Sequence, residues 1–288
     1  MPTPTDARER ARGRILDLLR CPLCRERLAP ADGALRCPAR HTFDIARQGY
    51  VSLLSGGRRA ASADTAAMVQ AREEFLGAGH YAPLGRALAG LAREVCPPGA
   101  AVLDAGTGTG YYLAAVLDAL PSAAGLGLDT SSRALRRAAR AHARAMAATW
   151  DVWRQLPVRH GAFDLVLNVF APRNGGEFHR VLRPGGALLV VTPAARHLAE
   201  LREHAGTLAV DPAKEERLSR ALDGHFTRER AEPLEYGLRL SAGDIERLVA
   251  MGPSAHHVAP GELRDRVAAL APPVPVTASF TLSVYRPR

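Results

Sequence analysis

The sequence predicts an α/β fold, an open sheet covered by helices, with a small metal-binding module at its N-terminal end. Three observations carry this expectation. From residue 99 onward, short apolar runs alternate with helical stretches, the order that produces a largely parallel sheet. The first run ends in an acid and enters a turn with three glycines, Gly106-Thr107-Gly108-Thr109-Gly110, where backbone can approach a ligand closely. Upstream, Cys21, Cys24, Cys37 and His41 have the spacing C-x2-C-x12-C-x3-H of four ligands converging on one tetrahedral ion.

Composition sets the outer limits. A chain of 288 residues with 47% apolar residues is long enough to bury a sizeable core. It contains no run of eighteen apolar residues, and its N-terminus has no apolar stretch behind the basic residues. We therefore expect no membrane span and a cytoplasmic protein. The net charge of +9 favours a polyanionic partner. All but one of the 38 basic residues are arginine, Lys214 being the exception. Codon bias in a GC-rich genome can exchange lysine for arginine, but it does not by itself add charge. The excess is concentrated, since residues 1 to 60 hold twelve arginines against six acids.

Arg8 to Leu19 reads as a short basic helix with Ile15, Leu18 and Leu19 on one face. The cysteine cluster follows. An intracellular chain keeps thiols reduced, so zinc is the expected occupant rather than a disulfide. Four protein ligands close the site and make the ion structural. Three thiolates around a dication leave one negative charge, which Arg25, Arg27, Arg36 and Arg40 offset, and four arginines are more than that charge requires. Their surplus points to contact with a polyanion. Ser55 to Ala63 is a polar linker and the best boundary, which divides the chain into an N-terminal helix and zinc module (1 to 60), linker helices (61 to 98) and a ligand-binding domain (99 to 288). Asp64 is expected to cap a helix that runs to Leu76, and a second helix spans Leu84 to Val95. Cys96 reads as a small buried hydrophobe.

Ala101 to Ala105 is the first strand of the sheet, and Tyr111 to Leu120 the helix whose N-terminal N–H groups face the ligand. The spacing GxGxG differs from the dinucleotide fingerprint GxGxxG, whose third glycine comes one residue later, and so argues against NAD. Ala124 to Leu128 is the second strand, ending at Asp129 about twenty residues beyond the glycine turn. An acid there suits two ribose hydroxyls; the same residue could equally cap the next helix.

The expected helix from Ser132 to Ala145 carries Arg133, Arg137, Arg140 and Arg144 on one face, either solvated or in contact with a polyanion. A third short strand precedes Asp151. Phe163 to Val169 is a buried central strand that runs into Phe170-Ala171-Pro172; Gly175 to Leu182 is a helix, Arg183 to Gly186 a turn and Ala187 to Val191 the fifth strand. Residues 199 to 230 read as polar and helical, and the strands Leu234 to Leu240 and Val276 to Tyr285 flank a helix from Ala242 to Ala250.

The runs CPLC, CPARHTFDIARQGYVSLL, MVQAREEFLGAGHYAPL and VLDAGTGTGYYL resemble the RlmA/TlrB family of 23S rRNA guanine-N1 methyltransferases. The likeness continues through LPV (Leu156 to Val158), NVFAP (Asn168 to Pro172), VLRPGG (Val181 to Gly186), TPAARHLAEL (Thr192 to Leu201), MGPS (Met251 to Ser254) and the terminal VYRPR. The zinc module joined to GHY-x-PL is the specific part; the glycine turn and RPGG alone indicate only a methyltransferase. The resemblance implies a class I methyltransferase (Rossmann-like) seven-stranded sheet closed by an antiparallel pair. It also implies S-adenosylmethionine as cofactor, held by Tyr81, Gly106, Gly108, Thr109, Gly110, Asp129, Asp151 and His197, with Asp151 at the adenine. Structural zinc sits on Cys21, Cys24, Cys37 and His41. The implied partner is 23S rRNA, with room for a homodimer, and the implied product a guanine methylated in a loop lining the peptide exit tunnel, which in some members confers macrolide resistance. Guanine N1 lies on the Watson–Crick edge, so the target base must be unpaired, and it carries a proton that must leave. The sequence assigns no residue to that proton. Two rivals stay in view: a small-molecule methyltransferase with a closed apolar acceptor pocket, and a non-catalytic zinc RNA-binding protein, against which the intact glycine turn and Asp129 speak.

Overall fold

The computed structural model describes residues 4–54, 64–201, 220–252, 265–270 and 273–288. The linker of residues 55–63, most of the expected polar helical stretch (202–219), Pro253 and Ser254 of MGPS, and His256 and His257 lie outside them.

The sheet has the expected seven strands. Five are parallel in the order β6 (Ala145–Thr149), β5 (Ala124–Asp129), β4 (Ala101–Ala105), β7 (Phe163–Val169) and β8 (Leu182–Pro193). Next to β8 lies β10 (Val274–Pro287), antiparallel to it, and at the edge β9 (Phe226–Leu240), antiparallel to β10. β4 and β7 are buried at every position. This is why they read as unbroken apolar runs: a central parallel strand is covered on both faces. Val102 packs with Leu113, Val116 and Leu117 of α4 (Tyr111–Ala119) and Leu88 of α3 (Ala82–Val95). Its neighbour Leu103 faces the other way, into a core with Ile15, Leu18 and Leu19. Strand order reverses between β4 and β7, and ligands bind at such a switch point, outside the carboxyl ends of the strands.

The N-terminal region is packed onto this sheet. α1 (Pro4–Leu18) and the three-stranded antiparallel sheet β1 (Ala29–Ala31), β2 (Ala34–Arg36) and β3 (Thr42–Asp44) share one apolar core with Leu126, Leu128, Met146 and Val158. The chain beyond β3 extends the edge of the large sheet. Val51 pairs in parallel with Ala148, with the Val51 N–H donating to Ala147 and the Thr149 N–H to Val51, each at 2.9 Å. Leu19 forms an antiparallel bridge with Val158, so the LPV loop is a docking surface for the zinc module.

Several boundaries differ from expectation for local reasons. α2 (Ala66–Gly77) is capped by Thr65, whose Oγ1 accepts the Met68 N–H at 3.2 Å; the expected cap, Asp64, instead pairs with Arg72. α5 (Ser132–Ala141) ends four residues early, because His142 breaks the helix in extended backbone and its Nδ1 accepts the Arg144 N–H. Ala145 can then pair with Gly125. β9 begins at Phe226, so residues 226–230 are strand where a helix is expected. Its charged residues are largely exposed and Pro233 sits within it, both typical of an edge strand. RPGG, expected as a turn, is instead a bulge inside β8: Leu182 pairs with Phe163 and Ala187 with Leu165, so four residues stand opposite one. Arg183 holds that bulge through two hydrogen bonds to the Asp164 carboxylate, at 2.6 and 2.8 Å. α6 (Gly175–Val181) and α7 (Ala242–Ala250) are two further helices, and Ala199–Leu201 is a short 3-10 turn.

Candidate functional site

The metal site is built by two tight turns. Among the ligand atoms, Cys21 Sγ and Cys37 Sγ lie 3.5 and 3.4 Å from His41 Nδ1, and Cys24 Sγ lies 3.6 Å from Cys37 Sγ. All four lie within 4.8 Å of one another. A tetrahedral zinc with ordinary bond lengths separates its ligands by about 3.5 to 3.8 Å, so the cluster fits that ion. Of the four arginines around it, Arg27, Arg36 and Arg40 are exposed. Arg25 is half-buried, and its guanidinium donates to the carbonyls of Leu156 and Val158 at 3.1 and 3.3 Å. Arg180 donates to the same two carbonyls. Arg25 thus clamps the zinc module to the LPV loop.

The glycine turn has the backbone that only glycine adopts easily. Gly106, Gly108 and Gly110 have φ of +92°, +54° and +83°. A Cβ on Gly106 would lie 2.4 Å from the Ala171 Cβ, and one on Gly110 would lie 2.9 Å from the Ala138 Cα. The first glycine therefore lets β4 approach the end of β7, and the third lets α4 approach α5. The turn is held from behind by the Leu128 carbonyl, which accepts the Gly106 and Thr107 N–H groups at 2.9 and 3.0 Å. Below it, burial pushes the Asp104 carboxyl up to about 7, against the Thr107 hydroxyl bond that opposes the shift.

Asp129 joins the second strand to this turn. One carboxylate oxygen accepts the Gly108 N–H and the other the Ser131 N–H, both at 2.8 Å. Helix α5 is capped by Ser131, which accepts from Ala134. The capping reading of Asp129 therefore loses its purpose. Each Asp129 oxygen keeps a further lone pair for a hydroxyl donor. Burial raises its pKa.

Tyr81 and His197 are brought together on the far side of the switch point, with the Tyr81 hydroxyl 3.3 Å from His197 Nε2. Nδ1 of His197 accepts the Ser279 N–H at 3.3 Å, which places the ring proton on Nε2. Tyr81 then accepts from His197 and can give its own hydrogen to a ligand. A chain of ring contacts links this pair to the glycine turn: Tyr81 to Phe280 at 5.2 Å, Phe280 to Phe170 at 5.6 Å, and Phe170 to Tyr112 at 6.2 Å, two residues beyond Gly110. Asp151 lies on the loop after β6, its carboxylate accepting the Trp153 N–H, while the Trp150 N–H donates to the Asp129 carbonyl at 2.8 Å. Thr109 is buried and lines a groove of about 630 Å³ between α2, α3, α4 and α5. Of the predicted set, only Thr109 lines that groove.

Three further residues shape the site. The Arg72 guanidinium bridges the Asp64 carboxylate and the Met251 carbonyl and lies 3.7 Å from where a Cβ on Gly108 would stand. It forms a roof over the turn. Asn168, fully buried, donates to the Pro172 carbonyl at 2.8 Å and fixes the bend at Phe170-Ala171-Pro172. Phe170 itself has φ +54°, an outlying value for a bulky side chain that costs on the order of 1 to 3 kcal/mol. The sequence marks Phe170 by its place at the sheet mouth; for Arg72, one arginine among 37 on an ordinary helical repeat, it carries no signal.

Comparison with known proteins decides the family. A zinc-ribbon model described as "RlmA, N-terminal" matches residues 19–56, and one described as "Methyltransferase domain" matches 102–186. The chain is 53% identical over 291 residues to a Micromonospora griseorubida protein named "Putative 23S rRNA (guanine-N(1)-)-methyltransferase", covering 95% of this chain and 98% of that one. This chain belongs to the RlmA/TlrB family of 23S rRNA guanine-N1 methyltransferases. It is also 51% identical over 278 residues to the Streptomyces fradiae "23S rRNA (guanine(748)-N(1))-methyltransferase", covering 96% of this chain and 99% of that one. A Bacillus subtilis relative, YxjB, is 37% identical over 65% of this chain. As a class I methyltransferase with a zinc ribbon, the protein uses S-adenosylmethionine and structural zinc. The site fits the first through its glycine cradle, where a Cβ has no room at Gly106, and through the half-buried carboxylate at the tip of β5. It fits the second through the ligand separations.

Proposed function

We propose that this methyltransferase acts on N1 of an unpaired guanine in a loop of 23S rRNA near the peptide exit tunnel, the guanine 748 named for its Streptomyces fradiae relative, and that the modification protects the host from tylosin-type macrolides. The observation that carries the reading is the carboxylate of Asp129 tied to the Gly108 N–H at the switch point of a sheet that also bears the zinc module. Substrate and position rest on the likeness to two relatives of nearly equal length.

Bound at the turn, S-adenosylmethionine supplies a methyl group on a sulfonium. Gly106, Gly108, Thr109 and Gly110 would hold it against the backbone, Asp129 would accept hydrogen bonds from its ribose hydroxyls, Asp151 would meet the adenine, and Tyr81, positioned by His197, would offer it a hydroxyl hydrogen. The protein's contribution is geometric: it holds donor and acceptor in a near-attack arrangement and excludes water. The rim of Arg27, Arg36 and Arg40 engages phosphates, which fixes register without reading sequence. No helix among the described residues is long and apolar enough to cross a membrane. The test is incubation with labelled S-adenosylmethionine and RNA from an unmodified strain, followed by digestion to nucleosides. Label in 1-methylguanosine supports the proposal; label in another nucleoside, or only in small molecules, refutes it.

A further inference from the structure

Two large aromatic side chains stand exposed on loops at the carboxyl ends of the parallel strands. Phe170 follows β7 and is 46% exposed; Trp153 follows β6 and is 63% exposed. Among the described residues they share this exposure only with Leu23 on the zinc knuckle. Phe170 is held there against its own backbone preference, at φ +54°, between a hydrogen bond from its N–H to the Val191 carbonyl and the Asn168 bond to Pro172. Its ring touches Tyr112 and Phe280, yet nearly half its surface is uncovered. The next residue, Ala171, packs against Gly106 of the cofactor turn. The loop of Trp153 is fastened to that of Phe170, because Asn174 donates to the carbonyls of Val152 and Trp153 at 3.0 and 3.2 Å. Arg154, exposed beside Trp153, lies 3.8 Å from the Asp151 carboxylate.

We propose that Phe170 and Trp153 are two stacking platforms for unpaired RNA bases, Phe170 for the guanine that is methylated and Trp153 for a base flanking it. The inference rests on the RNA guanine reading above. A base exposed for reaction at its Watson–Crick edge has left its stack, and an aromatic face replaces the lost neighbours. Strain is retained in a fold where it positions a functional group, and here it aims a ring at the space beside the glycine turn. A protein partner would call for a contiguous apolar patch; these rings are single, and flanked by Asp151 and Arg154.

The experiment uses the full chain with Phe170→Leu and Trp153→Ala, and with Phe170→Trp and Trp153→Phe as conservative controls. Calorimetry reads S-adenosylmethionine affinity. Steady-state methylation of a target hairpin reads kcat and KM, and the fluorescence of a hairpin with 2-aminopurine at the target position reads stacking. We expect Phe170→Leu to lower kcat about ten-fold or more and to leave the 2-aminopurine brighter than in the wild-type complex, with cofactor affinity unchanged and Phe170→Trp restoring both readouts. Trp153→Ala is expected to raise KM for RNA about five-fold or more with little change in kcat, and Trp153→Phe to restore it. Equal quenching and equal kinetics in the variants overturn the proposal, as does loss of cofactor affinity in Phe170→Leu, which would place that ring in the cofactor pocket. Failure of the wild type to methylate guanine at all would instead remove the reading on which the inference rests.

Discussion

Asp129 and Gly108 are 21 residues apart in sequence, and the N–H of one meets the carboxylate of the other at 2.8 Å. The bond welds the tips of β4 and β5 into one ligand-facing surface. It also makes the two residues interdependent, since a half-buried acid relies on its donors.

Gly108→Val and Asp129→Ala should both weaken S-adenosylmethionine binding, by different routes. Valine at φ +54° strains the turn and crowds the Arg72 guanidinium 3.7 Å away. Alanine at 129 removes a charged acceptor, a loss of about 1.5 to 3 kcal/mol, or ten-fold or more in Kd. Calorimetry with unchanged affinity in both variants would show that the cofactor lies elsewhere.

Gly106→Ala should act through packing. Its Cβ would meet the Ala171 Cβ at 2.4 Å, far inside contact distance, so β4 and the Phe170 loop must separate. Overpacking of this kind costs about 1 to 3 kcal/mol. We expect a lower urea midpoint together with reduced methylation; an unchanged midpoint would mean that the loop yields freely.

The chain should carry one zinc, and Cys24→Ser should release it. Because the module shares its core with Leu126, Leu128 and Met146 and pairs with β6 through Val51, the loss should lower the melting temperature of the whole protein in one transition. A separate early transition, or a metal analysis without zinc, would contradict this.

Asp104 gives a pH signature. The folded chain holds its proton to about pH 7, whereas the unfolded chain releases it near 3.9. Between those values the folded state binds more protons, so this group's contribution to stability falls as pH rises from about 4 to 7 and is level above. Asp104→Asn should remove that slope; denaturation curves at pH 5 and pH 8 that shift in parallel for both proteins would argue against it.

The arginines of the zinc module divide into two kinds. Changing the exposed Arg27, Arg36 and Arg40 to glutamine should reduce the salt slope of RNA binding by about two, at roughly 0.7 to 0.9 per phosphate contact. Arg25→Gln should lower stability instead, through the lost bonds to Leu156 and Val158. A salt titration with identical slopes for wild type and triple variant would place the RNA grip elsewhere.

These residues also show what a sequence can carry. The glycine turn, Asp129 and the zinc tetrad are legible because each demands a residue type at a fixed local spacing. The strands of the parallel sheet are legible because burial on both faces leaves continuous apolar runs. Arg25, Arg72 and Arg144 are not, since each is one arginine among many and its role depends on carbonyls distant in sequence. Arg144, read as part of an exposed stripe, closes the end of α4 by donating to Leu120 and Ala123. The end of α5 was equally hidden, because it depends on the pairing of Ala145 with Gly125 across the sheet.

The reading tested most directly is methyl transfer to guanine N1 from a cofactor seated against the surface that Gly108 and Asp129 form together. A methyl on N1 blocks Watson–Crick pairing, so reverse transcription of the 23S rRNA reads it directly as a stop. RNA treated with the wild-type protein and S-adenosylmethionine should show one new stop, next to guanine 748, and RNA treated with Asp129→Ala should show it much reduced. No stop with the wild type, or an equally strong stop with the variant, would contradict the account.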